Sequence, residues 1–190
     1  VDERVQEPLI LLGTEVPVPT GYIDNLYISS NGYLVVVETK LWRNAEARRE
    51  AVAQVLDYAA ELRSWSYSQL EDKWQRKSGQ HVSLWEHINA SEHGEEDALP
   101  DEATWIDQVN HNLDRGRMTL LIVGDGIRSE ASQLVEAISG HPEFEFRLGL
   151  VELRLYTLED GRTLAIPTTL ARTQEIERAI NQNHPRNQGQ

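Results

Sequence analysis

Glu38-Thr39-Lys40 closes a run of aliphatic residues, and Asp24 stands fourteen residues ahead of Glu38. Two carboxylates and an amine in this order form a set from which a metal-dependent, phosphodiester-cleaving site can be built. The run Leu34-Val35-Val36-Val37 is too apolar and β-branched to face solvent, so it reads as a strand buried on both faces. Alternation along a strand sends Glu38 and Lys40 to one face and Thr39 to the other. Burying a carboxylate with an amine costs several kcal/mol unless the two are paired or bind an ion.

Whether Asp24 joins them depends on hairpin register. Tyr22 to Ile28 reads as the preceding strand, and Ser30-Asn31-Gly32 carries the turn signal. Two loops compete. A two-residue Asn31-Gly32 loop pairs Asn25 with Glu38 and turns Asp24 to the opposite face. A three-residue Ser30-Asn31-Gly32 loop, with Gly32 in the left-handed conformation, pairs Asp24 directly with Glu38. The second is the reading adopted, because it alone gathers both acids on one face. The ordinary alternative is a hairpin ending in a surface Glu–Lys pair, and for an isolated Glu-x-Lys it would prevail.

The next segment adds weight to the first reading. Asn44 can cap a helix running to about Arg63, with Ala47, Ala51, Val55, Ala59 and Leu62 as its buried stripe. Gln54 and Tyr58 lie four apart and share a face beside that stripe. The ordered set Asp24, Glu38-x-Lys40, Gln54-x-x-x-Tyr58 resembles the PD-(D/E)XK nuclease superfamily, and especially its RecB-like branch with a Gln-x-x-x-Tyr helix. The resemblance covers residues 22 to 59 closely and much of 117 to 170 in looser strand-helix-strand order. It implies an α/β, restriction-endonuclease-like fold with a mixed central sheet flanked by helices.

The resemblance further implies that Asp24 and Glu38 ligate Mg²⁺ or Mn²⁺ together with the backbone carbonyl of Thr39. Lys40 would orient or help deprotonate the attacking water and stabilise charge on the phosphate. Gln54 and Tyr58 would hold the site or contact the substrate backbone, the alternative being a helix-to-sheet packing pair. Two positions depart from the pattern. Ile23 stands where a proline often precedes the Asp, and the further acid that many members take from an upstream helix has Glu7 as its best candidate. A solvated helix-end residue is the more ordinary reading of Glu7. The chain opens on Val1, so that first helix is expected to be partly missing from it.

Composition sets wider limits. The chain has 190 residues and no cysteine, which excludes disulfides and thiolate chemistry and fits a cytoplasmic setting. No apolar run approaches the roughly 20 residues of a membrane span. A formal net charge of −13 opposes an easy nucleic-acid assignment, since such proteins usually carry a basic footprint. Part of that deficit is local: acids cluster between Glu86 and Asp107 without a single Lys or Arg. Lys40, Arg43, Arg48, Arg49 and Arg63 could line a phosphate path, although acids interleave with them as on a solvated helix face.

Residues 64 to 100 read as a polar insertion over the active-site side, helical or irregular. Its Trp65, Tyr67, Trp74 and Trp85 either stack on bases or, more ordinarily, anchor the insertion to the core. His81, His87 and His93 recur every six residues and so fall on different helix faces, against a histidine metal cluster. Asp101 can cap a helix ending at Gly116, and Met118 to Val123 reads as a second buried strand. A tight turn at Gly124-Asp125-Gly126, a helix from near Ser129 to Gly140, and a late hairpin of residues 144–157 and 163–167 follow.

The expectation is thus one domain over residues 1–180 with a frayed tail at 181–190, acting as a magnesium-dependent nuclease or endonuclease. Its partner would be nucleic acid, DNA before RNA, with no membrane and room for a homodimer. The rival is a module on the same fold that binds nucleic acid or a partner and has lost turnover.

Overall fold

The computed structural model describes residues 9–41, 45–91, 99–125 and 145–172. Within them the chain is an α/β protein with a six-strand mixed sheet and four helices. Strands β1 (Leu9–Val18), β2 (Gly21–Ser29) and β3 (Leu34–Leu41) form an antiparallel meander. Helix α1 (Ala45–Leu62) follows, then α2 (Tyr67–Ser78), α3 (Leu84–Ser91) and α4 (Glu102–Arg115). Strand β4 (Met118–Asp125) pairs parallel with β3, β5 (Arg147–Thr157) parallel with β4, and β6 (Thr163–Arg172) antiparallel with β5.

The aliphatic runs occupy the middle of the sheet, as their composition requires. Leu34, Val36, Leu120, Ile122, Leu148 and Leu150 are buried and meet Ala51, Val55, Tyr58, Ala59 and Leu62 of α1 in one core. Val35, on the other side of β3, is also fully buried. The Ser30-Asn31-Gly32 loop is the three-residue one: the Ser29 amide donates to the Tyr33 carbonyl at 3.0 Å, and Gly32 has φ of 71°. That loop sets Asn25 opposite Val37.

Helix α4 begins and ends where its punctuation places it. The Asp101 side chain accepts from the Thr104 amide, and Gly116 closes the helix in the left-handed conformation. The Asn44 cap, the helix from Ser129, Glu7 and the tail lie outside the described residues.

Two elements differ from the sequence reading. Strand β1 was not anticipated, because Gly13, Glu15 and Pro17 interrupt any alternation. It is an edge strand, where a proline costs no central ladder bond, and it carries a register shift between Leu11 and Gly13 and a positive φ of 48° at Glu15. The stretch from residue 64 is not a polar appendage either. Tyr67, Leu70 and Trp74 are buried at helical spacing, as are Leu84 and Ile88, and α2 packs on β1, α3 and α4. Tyr67 and Trp105 meet edge to face at 5.8 Å, so these aromatics are anchors.

Candidate active site at the end of the third strand

Glu38, Thr39 and Lys40 end β3 beside Ile122, Val123 and Gly124 of the parallel β4. The carboxyl ends of parallel strands are where open α/β sheets leave room for ligands. Glu38 lies on the core face with Leu34 and Val36 and is only 1 % exposed. Its Oε1 is 2.9 Å from the Lys40 ammonium, while Oε2 is buried with no hydrogen-bond partner. A buried carboxylate oxygen without a partner is uncommon in a well-formed interior.

The β2–β3 ladder closes at Asn25 opposite Val37, and the same register continued by one residue sets Asp24 opposite Glu38. Asp24 takes up the backbone there. Its Oδ2 accepts from the Thr39 amide at 2.8 Å and from the Thr39 hydroxyl at 2.5 Å. The side chain thereby replaces the next main-chain rung and fixes the residue between Glu38 and Lys40. Strict alternation also fails at this point of β2, since Ile23 and Leu26, of opposite parity, join the same core.

Electrostatics link the three charged groups. Burial pushes the Glu38 carboxyl above its ordinary range, and the Asp24 charge adds to this against the hydrogen bond and charge of Lys40. Burial pulls the Lys40 ammonium down, but the bond to Glu38 and the charges of Glu38, Asp24 and Glu50 outweigh it, so Lys40 stays above its ordinary value. The buried Tyr58 phenol is also raised, first by desolvation and then by the charges of Glu38 and Asp24.

Tyr58 and Gln54 brace the site from α1. The Tyr58 hydroxyl donates to the Tyr22 carbonyl at 2.6 Å and accepts from the Gln54 amide. With Tyr58 fully buried, its bonds tie α1 to β2 two residues before Asp24. Arg63 does not belong to this cluster. Its Nε donates to the Asp114 carbonyl beside Gly116, ahead of β4, whereas Lys40 pairs with Gly124. Six residues of strand at about 3.3 Å each separate the two ends. The side chains of Arg43, Arg48 and Arg49 lie outside the described residues.

One pair escaped the sequence reading. Glu152 of β5 stands beside Gly124, in the row that begins at Lys40, and is 8 % exposed with Arg154 at 2.6 Å. In-register residues of parallel strands share a face, so Glu152 faces the same side as Lys40, two strands away. The signal was the Glu-x-Arg spacing where the apolar run of another strand gives out.

Among the described residues no group of three or more His, Asp or Glu is placed to hold a metal ion. The donors the resemblance implies, the Asp24 and Glu38 carboxylates and the Thr39 carbonyl, are all hard oxygen. Oxygen donors of this type would suit Mg²⁺ or Mn²⁺, which keep several waters, and not a closed zinc centre. The unpaired Glu38 Oε2 is the atom such an ion would satisfy.

No family model, curated protein or solved structure matches the chain. Fold and site therefore define it only as an α/β protein with a mixed six-strand sheet, and its function has to be argued from the residues.

Proposed function

We propose that this chain is a restriction-endonuclease-like, Mg²⁺- or Mn²⁺-dependent nuclease that hydrolyses phosphodiester bonds of nucleic acid, with DNA as the expected substrate. The observation that carries the reading is Glu38: a carboxylate kept in the core at the end of a parallel strand, with one oxygen on Lys40 and the other on nothing. A purely structural pair gains little from such placement, because apolar residues of similar volume are often as stable or more so.

Asp24 and Glu38, with the Thr39 carbonyl, would hold the ion. When bound, that ion supplies a lowered water pKa and charge neutralisation at the phosphate. Lys40, kept protonated by its acidic neighbours, orients water as a hydrogen-bond donor and stabilises charge developing on the phosphate. Gln54 and Tyr58 hold β2 in place against α1. Asp24, through Thr39, sets the spacing of Glu38 and Lys40.

The net charge of −13 and the remote position of Arg63 leave few cations to hold a polyanion, which opposes tight metal-independent binding by the rival, a binding module without turnover. A panel of single- and double-stranded DNA and RNA, incubated with and without Mn²⁺, decides between them. Metal-dependent cleavage that disappears in Glu38→Ala supports the nuclease. Absence of cleavage on every substrate, with oligonucleotide binding in Ca²⁺ seen by fluorescence anisotropy, establishes the module instead.

A further inference from the structure

A second site lies on the other flank of the meander. Between β1 and α2 a cavity of about 210 Å³ opens to solvent on one side. Leu12, Val16, Leu26, Leu70 and Trp74 give it apolar walls, and Lys73, Arg76 and Lys77 stand among its lining residues. The sequence shaped this place at some cost. The register shift in β1 falls at Leu12, the left-handed Glu15 precedes Val16, and a Cβ at Gly13 would stand only 3.1 Å from the Val16 side chain. Bulges re-aim side chains, and a non-glycine residue at positive φ persists only where its surroundings demand it.

Charge selects the occupant. The chain as a whole carries −13, yet three cations gather within two turns of α2 around this opening. The Lys73 ammonium sits 4.5 Å above the Trp65 ring, and Arg76 lies 3.6 Å from the exposed Asp72. A neutral apolar ligand would have no use for these groups, and an apolar cation would be repelled by them. A dry apolar cavity of about 150 Å³ holds a benzene ring, so on the same scale this one takes about eight carbons.

We propose that the β1–α2 cavity is a binding site for a small amphipathic anion, an apolar body of about eight carbons with a carboxylate-like head held by Lys73, Arg76 and Lys77. The body replaces void against Leu12, Val16 and Leu70, and the head stays at the solvent edge beside the ends of the lysine side chains. The site is independent of the nuclease reading, since none of its lining residues belongs to the Glu38 cluster.

Trp65 and Trp74 report on occupancy. Titration with octanoate, octanol and octylammonium, followed by tryptophan fluorescence and calorimetry, should give saturable one-to-one binding of octanoate. Octanol should bind about tenfold more weakly, the scale of a head group held by partly exposed cations, and octylammonium not at all. Lys73→Met with Lys77→Met keeps both stems and removes two of the three charges, so octanoate should weaken most of the way toward octanol while the fold, checked by circular dichroism, is retained. Octanol binding as tightly as octanoate, octanoate binding unchanged in the double variant, or no saturable binding would each overturn the proposal.

Discussion

The hairpin of β2 and β3 has two ends that treat buried polar groups in opposite ways. At the turn, three side chains of α4 reach for the loop carbonyls. Trp105 donates to Ser30 at 2.6 Å, Gln108 to Asn31 at 3.1 Å, and Asn112 to Asn31 at 3.3 Å and Gly32 at 3.1 Å. Asn112 is 3 % exposed and both its bonds serve the same turn. At the open end Glu38 is as deeply buried, yet one of its oxygens has no partner, and Asp24 makes its charge dearer. The turn end follows the ordinary rule that interior polar atoms are satisfied. The open end departs from it, and departures of this kind collect where chemistry, not stability, has shaped the residues.

The sharpest way to break that comparison is to make both ends apolar. Glu38→Leu is expected to reduce metal-dependent cleavage to background while leaving thermal stability unchanged or higher, because Lys40 is 29 % exposed and can turn to water. Nuclease assays and a melting curve on the same preparation measure the two effects. A variant that loses much stability would mean that the carboxylate is structural after all.

Lys40→Ala comes next in size. Cleavage should drop about 10²–10³-fold, the loss typical of removing one charge-stabilising group. Calorimetric titration with Mn²⁺ should show that much of the ion affinity survives, since the carboxylates remain. Cleavage at the parental rate would reduce Lys40 to a surface partner of Glu38.

Asn112→Leu tests the turn end. The Gly32 carbonyl loses its Asn112 donor while Asn31 keeps the one from Gln108, at about 1–3 kcal/mol for a buried group left unpaired. The melting temperature should fall by several degrees, on the order of 2–4 °C per kcal/mol for a domain of this size, with cleavage otherwise intact. If Asn112→Leu proves milder than Glu38→Leu, the contrast between the ends is inverted.

These two ends were not equally legible in the sequence. The turn could be placed because Ser30-Asn31-Gly32 between two strand-like runs is a local signal, but a two-residue loop fitted it as well, and only the gathering of Asp24 and Glu38 on one face selected the three-residue loop and its register. Helix α4 was legible from local signals as well, with Asp101 and Gly116 marking its limits. At the open end the sequence supplied the acids and the lysine but not their bonding. That Asp24 would take the Thr39 amide in place of a strand rung depends on where β2 leaves the ladder, and this is fixed by packing around Ile23 and Leu26. Strand β1 was invisible because its irregular residues suit only an edge, and edge position is a property of the sheet. Tyr67 and Trp74 looked scattered among charges until helix α2 gathered them with Leu70 on its buried side.

The smallest predicted effect uses a third carboxylate as a reference for Glu38. Glu145 is held below its ordinary range, first by its hydrogen bond from Arg117 at 2.7 Å and further by the charges of Arg115 and Arg117. A carboxyl lowered in the folded state lends stability that is present above the unfolded value of about 4.3 and is lost as pH falls through the folded one. Glu38, raised by burial, has the opposite sign: its contribution is present below that unfolded value and is lost as pH rises through the folded one. Glu145 and Arg117 are each about one-third exposed, so solvent screening limits the pair to less than about 1 kcal/mol. Glu145→Gln should therefore lower stability slightly at neutral pH and not at all near pH 2–3, narrowing the gap between the two melting temperatures as acid is added. Glu38→Gln should show a gain over the parent that grows from acid toward neutral pH. Urea titrations at a series of pH values resolve both slopes. Parallel slopes for the two variants would show that the buried carboxylate and the surface one are in equivalent environments, which the unpaired Oε2 of Glu38 denies.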